Sequence, residues 1–430
     1  MMLNWAGVFR LGLVNYAIGS ITVLMVSTLN RVMVVELGLP ALVPGLLVGL
    51  YYILQLTRPG WGHRSDLGGR RTPLILTGVA LLSVGGVLAA LAVGLHGEMP
   101  VASLLLSVVA YAMIGAGAGA AGTSLLALVA AATPFERRAG AATVVWLMLL
   151  LGGTSSAVIV GTLIDPFSPA RLVQIVLLVA TMAMALAVVA VAGIERRLPL
   201  TPPETHQPLR EGLTEIWAEP PARRLALFVA LSITTYFLQD LILEPYAGLV
   251  FGFTPGETTR MQGVQSGGVL VGMATTGVVA TGLRMGKLHH WVVAGCVGSA
   301  AALVAIGLAG PLQAGRLLPF VAMLGICNGV FAMAMVAAMM RLASAGREGR
   351  EGTRLGIWGA AQAVASGFGG LLGAVAVDLL RLVLPVQLAF TPVFMVEALL
   401  FLFSALLAGS AIAEADKPRL QMTAAKGETT

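Results

Sequence analysis

The sequence predicts an all-α polytopic membrane protein, with twelve transmembrane helices in two six-helix bundles. Three observations predict it. Of 430 residues, 57% are hydrophobic and only 11% are charged, against a charged share of about 25% in soluble domains. Apolar segments long enough to cross a bilayer, about 20 residues each, recur twelve times. One polar, proline-rich stretch divides them six and six, the arrangement of a transporter built from repeated bundles.

The apolar segments fall at 11–35, 42–61, 72–95, 100–132, 141–164, 171–194, 223–250, 260–282, 288–310, 316–342, 354–383 and 387–413. No alternating ten-residue pattern of barrel strands accompanies them. Backbone groups in lipid must be satisfied within the chain, which leaves helices as the spanning form. Residues 1–10 carry one positive charge and run straight into the first segment, so no cleavable leader is expected there. Trp5 and Phe9 are placed at the membrane interface. Pro199, Pro202, Pro203, Pro208, Pro220 and Pro221 punctuate the dividing stretch around a short amphipathic piece, LREGLTEIWA. The expected organisation is an N-terminal bundle at 1–194, a cytoplasmic linker at 195–222, a C-terminal bundle at 223–413 and a disordered cytoplasmic tail at 414–430.

Lys and Arg set the orientation. With the N-terminus in the cytoplasm, twenty of the 26 basic residues lie inside, in clusters such as Arg137–Arg138 and Arg223–Arg224, and four lie outside: Arg171, Arg260, Arg316 and Arg381. This predicts both termini cytoplasmic. The net charge of +6 is thereby a property of loops rather than a nucleic-acid footprint.

Ionisable groups at membrane depth cost roughly 2.5–3.5 kcal/mol each on insertion scales and therefore mark function. Two clusters stand out. LNRVMVVELGLP closes the first apolar run with Asn30, Arg31 and Glu36; QDLILEPY closes the seventh with Gln239, Asp240 and Glu244. These six residues and Gln265 are the candidate substrate-binding set. Asp240 and Glu244, four apart, share a helix face. If the first and seventh helices flank a common chamber, Arg31 can pair with Asp240 or Glu244 across the halves. Such a carboxylate serves either as a proton-coupling group or as half of a structural ion pair.

Other chemistries find no support. His63, His96, His206, His289 and His290 lie in loops or at span ends, so no interior imidazole is offered as a metal ligand. Cys296 and Cys327 fall inside apolar runs without metal-ligand spacing, and packing is their expected role. Nucleophile motifs and phosphate loops are absent, so no catalytic residue is expected. Gly115 with Gly119, Gly263 with Gly267, Gly268 with Gly272, and Gly369 with Gly373 stand four apart, a spacing that lets helices approach closely.

The loop between the second and third spans reads GHRSDLGGRR, and its spacing resembles the signature loop of the major facilitator superfamily. Leu67 stands where that family often carries a base. Gly62, Asp66, Gly69, Arg70 and Arg71 form the candidate conformational latch, in which Asp66 meets a helix N-terminus or an arginine of the other half. The same arginines also serve topology. Three longer blocks, STLNRVMVVELGLP, QDLILEPYAGLVFGFTPGETTRMQ and GREGREGTRLGIWGAAQAVASGFGG, resemble the PucC/LhaA family of bacteriochlorophyll carriers and light-harvesting assembly factors.

That resemblance implies a protein of the bacterial inner, intracytoplasmic photosynthetic membrane. It implies no required cofactor, bacteriochlorophyll or a precursor as bound cargo, and antenna polypeptides or pigment-synthesis enzymes as partners. The compact Asp66–Gly69 loop is similar to the LhaA-like branch, or to the relative labelled a bacteriochlorophyll synthase chain. A pigment tail of about twenty carbons, at ~0.8 kcal/mol per buried CH₂, ties such cargo to lipid by on the order of 15 kcal/mol. Entry must then be lateral, between helices. Magnesium favours oxygen ligands, which Asn30, Gln239 or a backbone carbonyl can offer. Two alternatives remain: a proton-coupled exporter of a small amphiphile using Asp240 or Glu244, and a non-transporting scaffold for antenna polypeptides or pigment-synthesis enzymes.

Overall fold

Proline and capping residues start most of the helices where the apolar runs begin. A computed structural model of the protein describes residues 3–58, 61, 70–134, 137–195, 230–282, 288–312, 316–344 and 351–415. In the first half these residues form α1 (Trp5–Glu36), α2 (Leu42–Thr57), α3 (Thr72–Leu95), α4 (Pro100–Ala132), α5 (Arg138–Leu163) and α6 (Pro169–Val191). In the second they form α7 (230–238, then Leu243–Phe251), α8 (Pro255–Thr276 with a wide turn Gly277–Gly282), α9 (Leu288–Ala309), α10 (Leu318–Ser344), α11 (Glu351–Arg381) and α12 (Thr391–Ala415). Apart from Glu195, Glu414 and Ala415, the expected linker and tail lie outside the described residues.

Local chemistry explains the boundaries. Asn4 starts α1 before the apolar run does, its side chain accepting from Gly7 N at 2.9 Å. Thr254 and Glu257 cap α8 reciprocally, at 3.2 and 2.9 Å, ahead of Pro255. Among the described residues eight helices are long and apolar enough to cross a membrane, and α2 and Leu318–Met333 of α10 are shorter apolar helices. The two left over, α7 and α8, carry the second polar cluster and its neighbours.

The packing repeats. In the first half α3 packs on α4 and α6, and α2 on α4; in the second α9 packs on α10 and α12, and α8 on α10. Adding six to a helix number carries one set onto the other, as an internal repeat requires. Each half has its own core, built in the first around Leu11, Ile75, Leu82 and Tyr111 and in the second around Tyr246, Phe331, Phe394 and Phe401. Between the halves α5 packs on α8 and α11 on α2, again related by the repeat.

Close crossings depend on missing side chains. A Cβ at Gly78 of α3 would lie 2.6 Å from the Ala121 nitrogen and 2.8 Å from the Gly117 oxygen of α4. Gly78→Leu is therefore expected to lower the thermal midpoint of the detergent-purified protein, by an overpacking cost of roughly 1–3 kcal/mol. Gly49→Ala, where an added Cβ meets nothing within 4 Å, is expected to leave the midpoint unchanged.

Candidate binding site at the junction of the halves

Both polar clusters coincide with irregular helix geometry. In α1, wide π-type turns at Leu24–Leu29 and Val32–Glu36 flank Asn30 and Arg31, a distortion common at functional sites. In α7 the helix breaks at 239–242 and resumes at Leu243. The sequence placed QDLILEPY at the close of the seventh span; the structure instead puts it in the middle of an interrupted helix. Tight turns, Asp240 N to Phe237 O at 3.1 Å and Ile242 N to Gln239 O at 3.0 Å, form the interruption. Pro245 then sits in the first turn of the resumed helix, where a missing N–H is tolerated.

That proline frees a carbonyl. In a continuous helix the N–H of residue 245 would bond the oxygen of Leu241, and proline has none to give. Asn30 of the other half supplies the donor, its Nδ2 lying 3.0 Å from Leu241 O. Nearby the hydroxyls of Thr28 in α1 and Thr259 in α8 lie 3.1 Å apart. A direct hydrogen-bonded seam thus joins α1 to α7 and α8.

Arg31 is 3% exposed, and its partner is Glu36. The expected pairing with Asp240 or Glu244 is not formed. The reason is the wide turn: Leu37 N bonds Val32 O five residues back, so residues five apart come onto one face and Glu36 is brought over Arg31. The second arm of the guanidinium crosses the halves, Nη2 donating to Phe253 O at 2.7 Å. A Cβ at Gly248 would come within 3.3 Å of Nε and Nη2, so the glycine makes room for the charge.

Around this seam several polar atoms are left over. Ser27 Oγ, Asn30 Oδ1, Gln239 Oε1 and both oxygens of Glu244 are buried with no hydrogen-bond partner among the described residues. Glu244, 1% exposed, has the Ser27 and Thr258 hydroxyls beside it, outside close hydrogen-bond geometry, and Arg31 and Asp240 as charged neighbours. Asp240 is half-buried beside Tyr52, Tyr236 and Glu397. Each orphaned buried group costs about 1–3 kcal/mol, which makes this cluster the candidate binding site.

The other expected site residues separate. Gln265 is buried on α8 where Gly325 of α10 crosses it, and no hydrogen bond among the described residues joins it to the cluster. Gly62, Asp66 and Gly69 lie outside the described residues. Arg70 is exposed; Arg71, through its backbone N–H, and Thr72 N, at 2.9 Å, donate to the Glu195 carboxylate at the end of α6.

Three acids of the junction were not in the expected set. Glu397 of α12 is 0% exposed with both oxygens unpartnered among the described residues. Asp165 follows α5 and accepts from Thr254 Oγ1 at 2.6 Å and Gly256 N at 3.1 Å, at the start of α8. Asp378 of α11 accepts from Ala41 N at 3.0 Å and Leu42 N at 2.7 Å, at the start of α2. Each half thus places a carboxylate on a helix N-terminus of the other, where the helix dipole favours negative charge. An acid in or just after the last turn of helices six apart in chain order was the readable signal. Both contacts lie on the far side, the face opposite the start of α1 and the end of α12.

A family profile described as PUCC protein matches residues 28–415. The chain is 55% identical over 414 residues to the Bacteriochlorophyll synthase 44.5 kDa chain of Rhodobacter capsulatus, covering 96% of this chain and 97% of that one. Protein PucC of Rhodovulum sulfidophilum is 31% identical, with 87% and 85% covered. Among solved structures, a bacterial homologue of the human lysosomal transporter Spinster superposes with a TM-score of 0.73 at 14% identity, covering 96% of this chain and 98% of that one. A D-xylose–proton symporter gives 0.71 at 17%, with 95% and 98% covered. These structures show the fold, that of major-facilitator-type transporters.

Two outcomes are expected of the junction. Arg31→Glu, which leaves Glu36 facing a like charge, is expected to lower stability by roughly 3–5 kcal/mol, with partial rescue by Glu36→Arg and none by Asp240→Arg, read as thermal midpoints of the purified variants. Combining Asp165→Ala with Asp378→Ala removes two helix caps worth about 1 kcal/mol each. Thr28→Cys, buried in the closed form, is then expected to react several-fold faster with an impermeant maleimide applied from the far side.

Proposed function

The chain belongs to the PucC protein family, and from that premise we propose that it is a membrane carrier and assembly factor that binds bacteriochlorophyll and delivers it during biogenesis of light-harvesting complexes. The observation that carries this reading is the set of unpartnered polar atoms at the seam between two apolar halves. It suits the head of an amphiphile whose tail stays in lipid. The name of the 55% identical relative supplies the pigment.

In this reading Asn30, Arg31, Glu36, Gln239, Asp240 and Glu244 hold the polar head, and the tail enters sideways between helices. Asn30 and Gln239 present unpartnered amide oxygens to the polar head, contacts weak enough for handover. The protein works in the intracytoplasmic photosynthetic membrane with both termini cytoplasmic, passing pigment to antenna polypeptides or receiving it from pigment-synthesis enzymes. The loop at 62–71 acts as the latch of the cycle. We assign no catalytic step: family and fold are transporter-like, and the synthase name belongs to the relative.

A second reading, the proton-coupled export of a small amphiphile, is favoured by the unpartnered carboxylate of Glu244 facing Arg31. Purification from a pigment-producing host in mild detergent separates the two. The proposal expects co-purifying bacteriochlorophyll in the absorption spectrum, reduced at least about fivefold by Asn30→Leu combined with Gln239→Leu, as expected for losing about 1 kcal/mol of binding. A pigment-free protein that takes up an amphiphile in vesicles under an imposed pH gradient would establish the second reading instead.

A further inference from the structure

Among the unpartnered acids of the junction, Asp240 alone of the described residues is half-buried, while Glu244 and Glu397 are fully buried. Glu36 is paired with Arg31, and Asp165 and Asp378 cap helices. Asp240 is half-buried and makes no hydrogen bond or ion pair among the described residues. The basic side chains described at the junction have partners elsewhere: Arg31 bonds Glu36 and Phe253, Arg58 bonds Gln55 Oε1 at 2.7 Å, Arg260 bonds Gly256 O at 3.3 Å, and Arg381 lies 4.0 Å from Asp378. The charged and titratable groups facing Asp240 are Tyr52, Tyr236, Glu244 and Glu397. Glu244 and Glu397 are fully buried, and their oxygens have no partner among the described residues. Three neighbouring acids in apolar surroundings do not all ionise together, and a positive centre beside Asp240 is what would favour its charged form.

We propose that Asp240 is the axial oxygen ligand for the metal of a magnesium tetrapyrrole, and that this bond selects the metal-bearing ring over the metal-free one. The inference rests on the pigment reading above and adds to it the atom that recognises the cargo. A bare cation does not fit: among the described residues no group of three His, Cys, Asp or Glu side chains could hold a metal ion. A single carboxylate is nonetheless sufficient for a metal whose four in-plane positions are already filled by the ring. Carboxylate oxygen is also the donor type that magnesium prefers.

The neighbours of Asp240 fit the rest of such a ligand. Tyr52 of α2 and Phe237 of α7 lie 6.0 Å apart between ring centroids, and Phe237 and Tyr236 lie 5.0 Å apart. All three rings are half-buried, an aromatic wall drawn from both halves. Flat macrocycles pack on such surfaces in offset or edge-to-face arrangements. Tyr52 and Tyr236 of that wall interact electrostatically with Asp240, so wall and carboxylate belong to one site.

The test uses the full-length protein, purified without pigment in mild detergent and titrated with bacteriochlorophyll and with its magnesium-free derivative, binding being read by fluorescence quenching. Wild type is expected to bind the magnesium form about tenfold tighter. Asp240→Ala is expected to abolish that preference by weakening the magnesium form alone, and Asp240→His to restore it with a shift in the coordination-sensitive absorption band. Equal affinities for both forms in wild type, which needs no variant to fold, overturn the inference and leave the proposed function standing. So does a preference that survives Asp240→Ala. Failure of wild type to bind either ring overturns the proposed function itself.

Discussion

One missing hydrogen bond organises the centre of this protein. Pro245 cannot donate to Leu241, and the carbonyl it leaves behind is met at 3.0 Å by Asn30 from the opposite half. A carbonyl left bare inside apolar surroundings would cost about 1–3 kcal/mol, so the broken seventh helix and the widened first helix are each incomplete without the other. Arg31 adds to this dependence: its charge is neutralised by Glu36 within α1, while its second arm reaches Phe253 across the seam.

The same logic recurs at the edge of the seam, where Asp165 and Asp378 satisfy backbone N–H groups that begin α8 and α2. These links are polar and few, and they fall on the helix pairs related by the internal repeat. Hydrogen bonds of these neutral and charge-assisted kinds contribute about 1–3 kcal/mol each, enough to hold the halves together here and small enough to be exchanged for contacts elsewhere. The proposed carrier role would use such a seam to exclude water from a head group while the tail remains in lipid.

Much of the fold was legible because hydropathy and proline act locally. The bounds of α3 and α4 are those read from the apolar runs, each with a proline in its first turn. The start of α1 was missed because Asn4 caps a helix that begins before the continuous apolar run. The site was half legible. Depth alone picked out Asn30, Arg31, Gln239, Asp240 and Glu244, but not their pairing, since ordinary helical spacing puts residues three and four apart on one face and a wide turn brings Glu36, five away, over Arg31. Glu397 was visible as an acid within a span, and only the packing of α12 brings it toward Asp240.

The central claim is that the orphaned polar atoms of both halves hold one amphiphile head between them. A density map of the pigment-loaded protein tests it most directly. The account predicts a macrocycle edge within hydrogen-bond reach of residues from both α1 and α7, with its tail passing outward between helices. Pigment seated on a lipid-facing surface of one half, with Asn30 and Gln239 untouched, would contradict it.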